Sequence, residues 1–90
     1  MIILTSRVVS IHDRKTSMRL TDIEWRILDG ICYQEKIKRK NLLELIEDNS
    51  SKDFGLTPAV RLFSLLYLYG RQHKLETNQT CLQNILEMLK

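Results

Sequence analysis

The chain has 90 residues, 43% of them hydrophobic and 7% aromatic, with a formal net charge of +3. A chain this short forms one domain with a marginal core, and its aliphatic content exceeds what so small a domain hides alone, which predicts completion by a second copy. The longest apolar stretch, Leu62 to Tyr69, is broken by Ser64 and falls far short of the roughly 20 residues of a membrane span. No basic region followed by an apolar run opens the chain, so the cytoplasm is the expected compartment.

The charge is unevenly spread. Residues 1–40 carry nine Lys/Arg against five acids, net +4, and the remaining residues are net −1. A positive N-terminal half predicts a face for an anion, of which a polyphosphate backbone is the commonest. The two cysteines, Cys32 and Cys81, lie in no metal-ligand spacing and are expected as reduced structural thiols.

In chain order, the β-branched and apolar residues from Ser6 to Ile11 predict a first strand, and His12, Asp13 and Arg14 intervene before a second, Lys15 to Leu20. The second strand alternates cleanly. Thr16, Met18 and Leu20 fall on a core side, and Lys15, Ser17 and Arg19 on a side for solvent or ligand. Thr21 and Glu24 have the spacing of a capping box and open a helix to about Lys36, with Trp25, Leu28, Ile31 and Cys32 as its apolar stripe.

A second helix, roughly Arg39 to Asn49, is expected to turn Leu42, Leu43, Leu45 and Ile46 inward, and a polar loop from Asn49 to Gly55 follows. Thr57 as N-cap and Pro58 at the first helical position restart a third helix to about Gln72. Its Val60, Leu62, Phe63, Leu65, Leu66, Tyr67, Leu68 and Tyr69 cover most of the circumference, the strongest argument in the sequence for dimerisation, because a helix apolar nearly all round is buried on several sides. A final amphipathic helix from about Asn78 to Lys90 carries Leu82, Ile85, Leu86 and Leu89. The expected class is mainly α with a short N-terminal β-strand.

The stretch Arg14-Lys15-Thr16-Ser17-Met18-Arg19-Leu20, with Asp22-Ile23-Glu24-Trp25 behind it and Thr57-Pro58-Ala59-Val60-Arg61-Leu62-Phe63 later, resembles the ribbon-helix-helix DNA-binding family. More narrowly it looks like a bacterial branch that pairs an Arg-x-Thr-Ser strand with a tryptophan in the first helix and a late Ala-x-Arg-x-Phe. The resemblance covers roughly residues 7–70. It implies an intertwined homodimer in which strands from two chains pair into a two-stranded antiparallel ribbon that enters the major groove, with extra C-terminal helices here. Carried over residue by residue, it implies Lys15, Ser17 and Arg19 as base-reading side chains, chemistry suited to guanine and other base edges. Lys38, Arg39, Lys40 and Asn41 become phosphate contacts at the start of the second helix, although the family's usual Ser or Thr cap is replaced by Lys38. Met18, Leu20, Trp25, Leu28, Ile46, Val60, Phe63 and Leu66 become the dimer core.

The corresponding organisation is an N-terminal extension with an extra strand (1–14), a DNA-binding and dimerisation domain (15–72) and an amphipathic tail (73–90). No nucleophile paired with a base, carboxylate pair, metal-ligand cluster or Gly-rich phosphate loop stands out, and His12 and His73 read as surface or capping residues. The expected function is therefore a non-enzymatic transcriptional regulator, a repressor, that binds double-stranded DNA without metal or cofactor, with higher-order assembly on DNA left open. The alternative is a protein-interaction module, an antitoxin or adaptor, whose tail at 77–90 captures a protein partner.

Overall fold

The computed structural model describes residues 3–51, 53–72 and 81–89. The elements run β1 (Leu4–Ile11), β2 (Arg14–Thr21), α1 (Asp22–Glu35), α2 (Arg39–Asn49), α3 (Leu56–Gln72) and α4 (Cys81–Met88). The chain divides into two compact units, Met1–Glu44 and Leu45–Lys90.

In the first unit, β1 and β2 form a two-stranded antiparallel ribbon whose register runs from Leu4 opposite Thr21 to Ile11 opposite Arg14. The turn consists of His12 and Asp13, with φ of 48° and 65°. Two-residue hairpin loops of type I′ need positive φ at both positions, because only that twist matches the flanking strands. His and Asp are among the few residues that tolerate this region. Partners directly across an antiparallel pair share a face. Val9, Ile11, Met18 and Leu20 are therefore turned to one side, where all four are buried. The resemblance implied a ribbon built from one strand of each of two chains. Here the ribbon closes within one chain, and β1, expected as an extra strand, supplies its second half.

Thr21 ends β2 and caps α1. Its hydroxyl accepts from the Glu24 backbone N–H at 3.2 Å, and its own N–H donates to the Glu24 carboxylate at 2.8 Å, the reciprocal capping box expected from the sequence. No residue separates strand from helix, so α1 packs directly on β2. Trp25, Leu28 and Ile31 are buried and Cys32 half-buried. The helix stops because Lys36 adopts the left-handed conformation, φ 56°. The Ile37 N–H then donates to the Cys32 carbonyl at 3.0 Å, which satisfies an otherwise orphaned helix-end acceptor.

In the second unit, α3 begins one residue earlier than Thr57. Gly55, at φ +87°, makes a reversal that side chains resist, and its carbonyl accepts from the Ala59 N–H at 3.2 Å. Pro58 stays within the first turn, where its missing N–H has no helical partner to lose. Ala59, Val60, Phe63 and Tyr67 make one buried stripe, and the Phe63 and Tyr67 rings lie 6.2 Å apart. α3 and α4 pack together, and Ile85, Leu86 and Leu89 are buried. The expected start of the tail helix at Asn78, and His73, lie outside the described residues, as does the side chain of Leu82. Among the described residues, no helix is long and apolar enough to cross a membrane.

Candidate nucleic-acid interface

The outward face of the ribbon alternates with its core face, so Lys15, Ser17 and Arg19 are all exposed. Among the described residues no side-chain hydrogen bond or ion pair holds any of the three. The register adds four residues of β1 to the same face: Leu4 opposite Thr21, Ser6 opposite Arg19, Val8 opposite Ser17, and Ser10 opposite Lys15. Sequence reasoning missed these. Val8 and Val9 are adjacent and both apolar, which hides the period-two alternation that was plain in β2. The turn at His12 and Asp13 was the signal that could have recovered it, because it fixes which residues of β1 face which residues of β2.

The ribbon is held to the helices by Trp25, 1% exposed. Its indole Nε1–H donates to the Thr5 carbonyl at 2.9 Å, and the Arg7 and Arg39 guanidiniums lie 4.8 Å and 5.3 Å from the ring centroid, within cation–π range. Arg39 also donates from Nε and Nη2 to the Asp29 carboxylate at 3.2 Å and 2.9 Å. A further tether joins the ribbon's tip to α2, because the His12 backbone N–H donates to Glu44 Oε2 at 2.8 Å. Lys40 donates to the same oxygen at 2.8 Å.

These contacts hold the Glu44 carboxyl below its ordinary range, through the Lys40 ammonium first and the His12 N–H second. Lys40 is correspondingly held above the usual lysine value, chiefly by its hydrogen bond to Glu44. A lowered carboxyl stabilises the fold above its unfolded-state value and loses that contribution as the pH falls through its folded-state value. The carboxylate's contribution to the tip tether is therefore present at neutral pH and lost in acid.

Of the four residues expected at phosphate, Lys38 and Asn41 are exposed, whereas Arg39 is half-buried against Asp29 and Trp25, and Lys40 is shared with Glu44. The Lys38 carbonyl accepts from the Leu42 N–H at 3.0 Å, which makes Lys38 the cap residue of α2. Its side chain has no acceptor oxygen, so it cannot satisfy the first N–H groups of the helix, and these suit an external anion. Asp29, Cys32, Tyr33, Lys36, Ile37 and Lys38 line an open groove of about 720 Å³ at this turn. Burial and then the Asp29 charge push the Cys32 thiol up, against the opposing Arg39, which disfavours the reactive thiolate.

Met18, Leu20, Trp25, Leu28, Ile46, Val60 and Phe63 are buried within the single chain, and Leu66 is half-buried. Three other α3 residues stay in water: Leu65 at 65%, Leu68 at 42% and Tyr69 at 55% exposure. They follow one another at i, i+3 and i+4 and so form one stripe.

A family model described as a ribbon-helix-helix domain matches residues 4–68, from the start of β1 into α3. No curated protein and no solved structure matches the chain.

Proposed function

Because the chain belongs to the ribbon-helix-helix family, whose members are generally DNA-binding transcription regulators, antitoxins included, we propose that it is a sequence-specific regulator that acts as a homodimer. Its fold class binds DNA rather than catalysing a reaction. In this reading the protein is a cytoplasmic repressor, and its ribbon enters the major groove, which is wide enough for two strands. Lys15, Ser17 and Arg19 read bases. Lys38 and the N-terminus of α2, with Asn41 beside them, hold a phosphate and set the register. Arg39 and Lys40 serve this contact indirectly, by fixing α2 to α1 and to the ribbon's tip. The second copy covers the Leu65, Leu68 and Tyr69 stripe and doubles the reading face.

The observation that carries the reading is the exposed face of β2, where two cations and a hydroxyl stand in register with no partner of their own among the described residues. Capture of a protein partner by residues 77–90 has less support, because Ile85, Leu86 and Leu89 are already buried.

The test is selection from a random-sequence duplex library by the purified protein at two salt concentrations. A recovered motif whose affinity falls as salt rises supports the reading, since neutralised phosphates release counterions. The Arg19→Ala variant should then lose roughly 1–3 kcal/mol of discrimination, about ten- to a hundredfold, with an unchanged circular dichroism spectrum. Retention of the motif by that variant at full affinity would remove Arg19 from the reading face.

A further inference from the structure

Two residues on the ribbon's outward face are neither charged nor hydroxylated: Leu4, 45% exposed at its end opposite Thr21, and Val8 further in. Val8 is 66% exposed, whereas its neighbour Val9 is 5% exposed on the core side. Strand alternation accounts for the difference in direction, but core formation does not account for a branched aliphatic side chain left in water on this face. The register puts Val8 in its middle, opposite Ser17, with the Ser6–Arg19 pair on one side and the Ser10–Lys15 pair on the other. These six positions hold two cations, three hydroxyls and no acid. An apolar spot inside a cationic surface matches a partner that is a polyanion with an exposed apolar group. In the major groove of DNA that group is the thymine C5-methyl.

We propose that Val8 contacts a thymine methyl group, which makes β1 a base-reading strand alongside β2. The assignment rests on the reading of the ribbon as the element that enters the groove. It gives that reading a chemical preference: a thymine flanked by base edges that accept from Arg19 and Lys15 and exchange hydrogen bonds with the serines.

The experiment uses the full chain and the site recovered from the duplex library. Each thymine of that site is replaced in turn by deoxyuridine, which removes the methyl and keeps the hydrogen-bonding edge. For the wild-type protein, one thymine in each half-site should lower affinity by about three- to tenfold when replaced, the scale of one apolar group returned to water. Val8→Ala should bind the thymine site more weakly by a similar factor and should be indifferent to deoxyuridine at that position. If no thymine replacement costs the wild type more than about twofold, or if the cost persists undiminished in Val8→Ala, Val8 does not read a methyl and the ribbon reading stands without it. A library that yields no enriched site would overturn both.

Discussion

The ribbon and α3 each carry an exposed face, and they differ in what a partner must supply. The ribbon's face presents Lys15, Ser17 and Arg19, groups that remain well hydrated alone and gain most from a polyanion, so whatever binds there should respond to salt. The face of α3 presents Leu65, Leu68 and Tyr69, which gain by expelling water, at roughly 25 cal/mol per Å² of apolar area, with little dependence on salt. Exposure alone marks both faces as unfinished. In the function proposed above, the partner is DNA for the first and a like apolar stripe on a second copy for the second.

The comparison breaks most completely at Trp25, which holds the ribbon on its helices. Trp25→Ala removes a fully buried ring, the hydrogen bond to Thr5 and the seat of two guanidiniums. It should cost about 3–5 kcal/mol in urea denaturation, a large share of the total for a small domain. A cost below about 1 kcal/mol would show that the ribbon is held elsewhere.

Next in size is Leu65→Lys, which sets a charge in the α3 stripe. It should cost the dimer about 2 kcal/mol or more and shift sedimentation toward monomer while leaving helicity intact. High salt should not reproduce that shift, whereas it should weaken DNA binding. An unaltered dimer would move the second copy to another surface.

Lys38→Ala sharpens the comparison from the other side. A phosphate contact carries no base information, so affinity should fall for all sequences alike and the slope of log K against log salt should flatten by about one. A loss confined to the preferred sequence would make Lys38 a reader. The smallest effect belongs to Lys36→Gly, at the left-handed end of α1. Removing the Cβ there should raise stability by up to about 1 kcal/mol, seen as a melting point several degrees higher. No gain would mean that Lys36 makes a compensating contact.

Much of the ribbon's outward face was legible because it depended on local rules. The parity of Lys15-Thr16-Ser17-Met18-Arg19-Leu20 separates core from solvent without knowledge of what lies across the sheet, and Thr21 with Glu24 marks the start of α1 by side-chain chemistry alone. Which face of α3 stays exposed was not legible. The eight apolar residues of α3 look alike in the sequence, yet the fold buries Val60, Phe63 and Tyr67 and leaves Leu65, Leu68 and Tyr69 in water. That choice is made by what packs on the helix.

The sequence by itself thus determined the order of elements, the inward and outward sides of β2, the cap of α1 and the cationic half of the chain, all of which follow from interactions among residues a few positions apart. Only the tertiary structure decided that β1 completes the ribbon, that Val8, Ser6 and Ser10 share the outward face of Lys15, Ser17 and Arg19, and that Arg39 and Lys40 are engaged by Asp29, Trp25 and Glu44. Each of these depends on the register of two strands or on a contact between separate elements, which is set when the chain closes on itself and is not encoded at any single position.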